Sequence, residues 1–119
     1  MRFVEATGKT EVSATAPEVD LTGYVQNTAA GSNALAIHPK DAPWTYASGT
    51  SAIAIGAGAA DGSSVSASKT FAIAIGTYAK ATGNYAISIG GSSSATNTQN
   101  VAVGYNADAT AANGTAIGG

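Results

Sequence analysis

Ala72-Ile73-Ala74-Ile75-Gly76 decides the reading of this chain, because the phrase returns. It stands earlier as Ala52-Ile53-Ala54-Ile55-Gly56 and later as Ala86-Ile87-Ser88-Ile89-Gly90. Shortened copies are Val101-Ala102-Val103-Gly104 and Ala116-Ile117-Gly118, and an imperfect early copy is Ala34-Leu35-Ala36-Ile37-His38. Gly76, Gly90, Gly104 and Gly118 are spaced 14 residues apart. Self-similarity at a fixed period is the mark of a stacked-repeat architecture.

Each copy alternates a small residue with Ile or Val, which is strand geometry: successive side chains leave on opposite faces. Ile53 and Ile55 share one face, and Ala52 and Ala54 share the other. Both faces are apolar, so the strand is expected to be covered on both sides. The glycines at 56, 76, 90, 104 and 118 mark the turns of the repeat. After the turn comes a second pattern. Gly76-Thr77-Tyr78-Ala79-Lys80-Ala81-Thr82 parallels Gly104-Tyr105-Asn106-Ala107-Asp108-Ala109-Thr110. Ala79 and Ala81 alternate with polar neighbours, which predicts a half-buried strand with a small-residue inner face.

One unit therefore reads as strand, turn, strand, turn, with no room for a helix. Such a unit cannot bury its own apolar face, so units must stack into a coil. A coil this short has an interior that Ala and one Ile would fill. The other apolar face needs a cover that the chain does not supply, so the cover is expected from further copies. Ile37, Ile53, Ile55, Ile73, Ile75, Ile87, Ile89, Val101, Val103 and Ile117 are the expected core of the roll and of the contact between chains.

Asn84-Tyr85-Ala86-Ile87-Ser88-Ile89-Gly90 and Asn113-Gly114-Thr115-Ala116-Ile117-Gly118 resemble the head repeat of trimeric autotransporter adhesins, the YadA-like heads. That repeat has the outline Asn-Ser-x-Ala-Ile-Gly-x-x-Ala-x-Ala. The resemblance covers residues 31–119. It implies an all-β, left-handed parallel β-roll, a solenoid, and an intertwined homotrimer. Similar repeats also occur in fibres of bacteriophage virions. Two settings follow from it. One is a non-enzymatic head or tail fibre at the virion surface, held by other virion proteins and touching a host glycan or protein. The other is the head of a bacterial adhesin at the outer-membrane surface.

Composition narrows the function classes. The chain has 119 residues, enough for one domain, with 45% hydrophobic and 10% charged residues and a net charge of −2. Low charge with ordinary apolar content argues against disorder. Its 15 glycines do not fall at every third position, which rules out collagen. There is no Cys, hence no disulfide framework and no thiolate metal site. No apolar run approaches the ~20 residues of a membrane span. Met1-Arg2-Phe3-Val4-Glu5 has no apolar stretch of a secretion signal, so a chain beginning there is expected to be made in a cytoplasm.

Charge divides the chain. Residues 1–30 hold Arg2 and Lys9 against Glu5, Glu11, Glu18 and Asp20, whereas residues 31–119 balance Lys40, Lys69 and Lys80 against Asp41, Asp61 and Asp108. The first segment reads as an extended arm. Its stretch Val19–Thr28, with Leu21, Tyr24 and Val25, resembles linkers of phage tail and fibre proteins and is assigned to attachment; the competing reading is a plain N-terminal arm that packs on the roll. Two insertions interrupt the roll, at 38–50 and 57–70. Ile37 to Ile55 is 18 residues and Gly56 to Gly76 is 20, so they add four and six to the repeat. The first holds Pro39, Pro43, Trp44, Tyr46 and His38, and reads as a loop. Trp44, Tyr46 and His38 are candidate surface contacts; the competing reading has Trp44 packing down over the first coil. The second insertion centres on Asp61-Gly62, a turn signal.

Site chemistry is sparse. His38, Asp41 and Ser48 in one loop are a poor triad, which is recognised by geometry. Gly56-Ala57-Gly58 lacks the following helix of a dinucleotide site. The Asp residues lack calcium-loop spacing. Five Lys and Arg without a stripe do not supply the phosphate-neutralising charge of a nucleic-acid binder. No catalytic, metal or cofactor residues are assigned. Tyr78, Tyr85 and Tyr105 lie at or beside the turns, where stacked aromatics would suit a sugar or a surface; the competing reading is simple surface packing between coils.

Overall fold

A computed structural model describes residues 26–119. Among the described residues twelve short strands run in chain order: β1 Gln26–Asn27, β2 Leu35–His38, β3 Thr45–Ala47, β4 Ile53–Ile55, β5 Val65–Ala67, β6 Ile73–Ile75, β7 Lys80–Ala81, β8 Ile87–Ile89, β9 Ser94–Ala95, β10 Val101–Val103, β11 Asp108–Ala109 and β12 Thr115–Ile117. There is no helix among the described residues. The strands form two sheets, β12-β10-β8-β6-β4-β2-β1 and β11-β9-β7-β5-β3. From β2 onward consecutive strands alternate between the sheets, and every described pairing except β1 with β2 is parallel. This is a β-solenoid in which each coil contributes one strand to each sheet.

Register follows the repeat. Ile55 pairs with Ile75, Ile75 with Ile89, Ile89 with Val103 and Val103 with Ile117. On the second sheet Ala47 pairs with Ala67, Ala67 with Ala81, Ala81 with Ala95 and Ala95 with Ala109. Identical side chains are thus stacked in columns, and the backbone of each coil bonds to the next.

The columns show what fills the roll. Ala36, Ala54, Ala74 and Ala102 of the first sheet and Ala47, Ala67, Ala81 and Ala95 of the second are buried, with at most 1% exposure. Val65 is the one buried core residue larger than Ala among the described hydrophobics. No Ile lies in that interior, which corrects the expectation of one Ile per coil. The two sheets are close enough that methyl groups complete the contact, and each Ile turns to the outer face. There Ile53, Ile55, Ile73, Ile75 and Ile87 are half-buried and Ile89 is exposed.

Ser88, Ser93 and Asn100 enter the interior as hydrogen-bonded sets. Ser88 and Ser93 stand where other coils carry Ala. Their hydroxyls lie 2.7 Å apart, and Ser93 Oγ donates to the Gly90 carbonyl at 2.8 Å. Ser88 must then donate to Ser93. Asn100 takes another Ala position; its Oδ1 accepts from Gly114 N at 2.8 Å and its Nδ2 donates to the Ala109 carbonyl. The serine pair gives an asymmetric expectation. Ser93→Ala strips Ser88 of its acceptor and should cost about 1–3 kcal/mol, whereas Ser88→Ala leaves Ser93 bonded and should cost less. Changing both to Ala restores the composition of the neighbouring coils and should be close to neutral. Urea melts of the three variants check this, and simple additivity of the two single losses would contradict it.

The two insertion segments differ from plain loops. Each contains a strand of the second sheet, β3 within 38–50 and β5 within 57–70. Tyr46 pairs with Ser66 and Ser66 with Lys80, so the extra residues are confined to one corner of the coil, before the second strand begins. Pro39 and Pro43 sit in that corner, outside the ladders, where their missing N–H costs nothing. The Asp61-Gly62 turn is present. Ser63 N donates to Asp61 Oδ1 at 2.9 Å, and Ala59 N donates to the Ser63 carbonyl at 2.8 Å.

Residues 26–31 close the first end of the roll. β1 lies antiparallel on β2, with Gln26 opposite His38 and Asn27 opposite Ile37. Thr28 N donates to the Ala36 carbonyl at 2.9 Å, and Gly31 N to the Ala47 carbonyl at 3.0 Å. Both sheet edges at this end are thereby occupied, and an occupied edge does not recruit other chains.

Candidate functional site

Three surfaces of the roll can meet a partner. The first is the outer face of the long sheet. Leu35, Ile53, Ile73, Ile87 and Val101 form one column, and Ile37, Ile55, Ile75, Ile89, Val103 and Ile117 form the other. The period-two alternation that buries Ala inside forces the branched residues of these strands onto this face. It is apolar, with most of its branched side chains half-buried and Ile89 and Ile117 exposed.

The second surface is the corner where the insertions stack. Val65 N donates to the Trp44 carbonyl at 3.0 Å, which fixes one insertion on the other. Ile37, His38, Pro39, Ile55, Gly56 and Ala57 line a depression of about 300 Å³ at its base. Tyr46 points outward and Trp44 is half-buried. His38 differs from its expected surface position: it is only 3% exposed, because it shares the inward parity of Ala36 on β2. Its Nδ1 lies 2.7 Å from the Pro39 carbonyl and so carries the proton, while the buried Nε2 has no partner among the described residues. Asp41 is engaged by Lys40 Nζ at 3.0 Å. Beside them the Ser63 amide holds the Asp61 carboxyl below the usual carboxylate range.

The third surface is the opposite corner, between the second sheet and the first. One residue per coil there has a left-handed backbone: Asn33, Ser51, Phe71, Tyr85, Gln99 and Asn113, with φ between 54° and 62°. They are bonded rung to rung, Phe71 N to the Thr50 carbonyl, Tyr85 N to Thr70 and Gln99 N to Asn84, at 2.8–2.9 Å. Phe71 and Tyr85 stack with centroids 5.4 Å apart and planes at 22°. Phe71 escaped the sequence reading, although its separation from Tyr85 is the repeat length and both directly precede an Ala-Ile. Tyr78 and Tyr105 occupy the other turns and are exposed.

The turn glycines 56, 76, 90, 104 and 118 fall where the repeat puts them, all with positive φ. Leu21, Tyr24 and Val25 of the arm lie outside the described residues. Among the described residues no group of His, Asp or Glu is arranged to hold a metal ion. No helix of the described residues is long and apolar enough to cross a membrane.

The columns of Ala and Ile, the turn glycines and the left-handed corners together make a repeat with a family counterpart. The model of the YadA head domain repeat matches residues 43–59, 67–93 and 95–119, more than half of the chain. The chain belongs to the YadA head domain family. Comparison with curated proteins and with solved structures found no match. The YadA head domain is a structural adhesin family whose members are surface-exposed, and the match suggests an adhesin-type fibre segment. YadA-like head domains are known to form trimers.

Proposed function

We propose that this chain assembles as a homotrimeric fibre through its Ile face, is carried on the surface of a bacteriophage virion, and touches the host there. The observation that carries the reading is the two-faced strand. Its Ala side is consumed by the roll, and its Ile side is a continuous apolar face with nothing on it. Three copies would cover that face as one shared interior. The trimer has no enzymatic part in this reading. Residues 1–30, which carry the net charge of the chain, attach it to other virion proteins, and the corners of the roll face outward.

The match to the YadA head repeat favours a second setting, the head of a bacterial trimeric autotransporter adhesin at the outer-membrane surface. The two settings share the trimer and differ in the particle. Light scattering of the purified protein is expected to give three chains; a stable, soluble monomer would sink the reading. An antibody raised against residues 31–119 should decorate intact virions. Label confined to bacterial outer membranes would select the adhesin instead.

A further inference from the structure

The corner column carries an expense that the fold does not require. A left-handed backbone is cheap for Asn and Gly and unusual for bulky residues. Asn33, Ser51 and Asn113 hold the same rung position with small polar side chains, so the roll turns this corner without aromatic residues. Two adjacent coils nevertheless place Phe71 and Tyr85 there, at φ 57° and 60°. The rings are not absorbed into a core: Phe71 is 49% exposed and Tyr85 54%. Strained residues of this kind persist where a site uses them.

We propose that the Phe71–Tyr85 stack is a platform for a neutral oligosaccharide. The inference rests on the reading of the chain as a surface fibre and names the class of its host ligand. The two rings cover one face of each other, which leaves the outer faces and edges of a pre-ordered pair for a ligand, so little freedom is lost when a ligand settles on it. A pyranose ring has an apolar C–H face that suits an aromatic plane, and a rim of hydroxyls that needs polar partners. Those partners are beside the rings. Asn84, Thr98 and Gln99 are exposed on the same and the following rung, and the amide groups both donate and accept.

The surroundings weigh against other ligands. Lys69 is the only charged residue among positions 69–71, 83–85 and 97–99, so an anionic partner finds one cation and a nucleic acid finds no phosphate track. A protein partner of ordinary affinity covers about 800 Å² on each side, far more than two rings provide. A neutral sugar needs neither. In a trimer three platforms recur around the fibre, which converts weak single contacts into avidity.

The test is a double variant, Phe71→Ser with Tyr85→Asn, using residues that other coils already carry at this rung. It is compared with the wild-type protein on an array of neutral hexose and N-acetylhexosamine oligosaccharides, with sialylated ones alongside. Wild type should bind neutral glycans in preference to charged ones. The variant should lose that binding by about tenfold or more. Its mass by light scattering should be unchanged and its melting temperature unchanged or higher. Three results overturn the proposal: no binding of wild type to any neutral glycan, unaltered binding by the variant, or a variant that falls to a smaller oligomer. The last would mean that the rings pack against another copy. A monomeric wild type would defeat the fibre reading instead, a separate outcome read from the same scattering measurement.

Discussion

Ile75→Asp is expected to abolish assembly while leaving the interior of a single roll intact. Ile75 sits mid-column on the outer face, paired with Ile55 on one side and Ile89 on the other. Its side chain is half-buried in the single chain, so an Asp there would still reach water if the chain were alone. In a trimer built on this face the same position is desolvated, and each of the three subunits carries a carboxylate into it. Each buried unpaired charge costs several kcal/mol. Chains that depend on one another for their folded state lose stability with the assembly. Light scattering should report loss of the trimer, and the concentration-dependent melt of the assembly should give way to a weaker, concentration-independent one. Asp108→Ala is the control. Asp108 is exposed on the second sheet and its removal should stay within about 0.5 kcal/mol of wild type. A variant Ile75→Asp protein that assembles and melts normally would show that the Ile face is not the contact between copies.

The contrast between Ala and Ile explains how far the sequence could be read. The period gave the strands, the coil and the register directly, because columns of identical residues result when a fixed repeat is stacked. The apolar character of both faces was equally legible in Ile53, Ile55, Ala52 and Ala54. What could not be read was which face the roll keeps for itself. That depends on the gap between the sheets, and the structure resolves it in favour of the methyl groups of Ala54, Ala74 and Ala102. The insertions were countable but not locatable. Their lengths follow from Ile37 to Ile55 and from Gly56 to Gly76, yet prolines and Asp-Gly masked the strands Thr45–Ala47 and Val65–Ala67 beside them. Parity would have put His38 inside with Ala36, but the neighbouring Pro39 drew the reading toward a surface loop. The left-handed corner was hidden for a different reason. Its positions hold Asn, Ser, Phe, Tyr and Gln, a set with no common side chain, so the backbone shows what residue identity does not.

Gly90→Ala is expected to be strongly damaging, because the methyl group it adds meets the backbone of the next coil. Gly90 has φ +130°, and a Cβ there would lie 2.5 Å from the Gly104 carbonyl oxygen and 2.7 Å from its carbon. The obstacle is backbone of the next coil, held in place by the bond from Gly104 N to the Ile89 carbonyl at 2.8 Å. It cannot swing aside as a side chain would. Two penalties add: the backbone conformation that Ala adopts poorly, and the separation of two coils that the ladders hold together. Together they should cost about 3 kcal/mol or more. Because each coil is stabilised chiefly by its neighbours, a parting here weakens both halves of the roll. Gly62→Ala separates the two penalties. Gly62 also has positive φ, +95°, but a Cβ there meets nothing within 4 Å. It should therefore lose only the conformational part, about 1 kcal/mol. Thermal melts of both variants read the difference. A large loss at Gly90 beside a small one at Gly62 assigns the repeat glycine to close stacking of coils. Equal losses would assign it to backbone conformation alone, and the packing argument for the 14-residue repeat would fail with it.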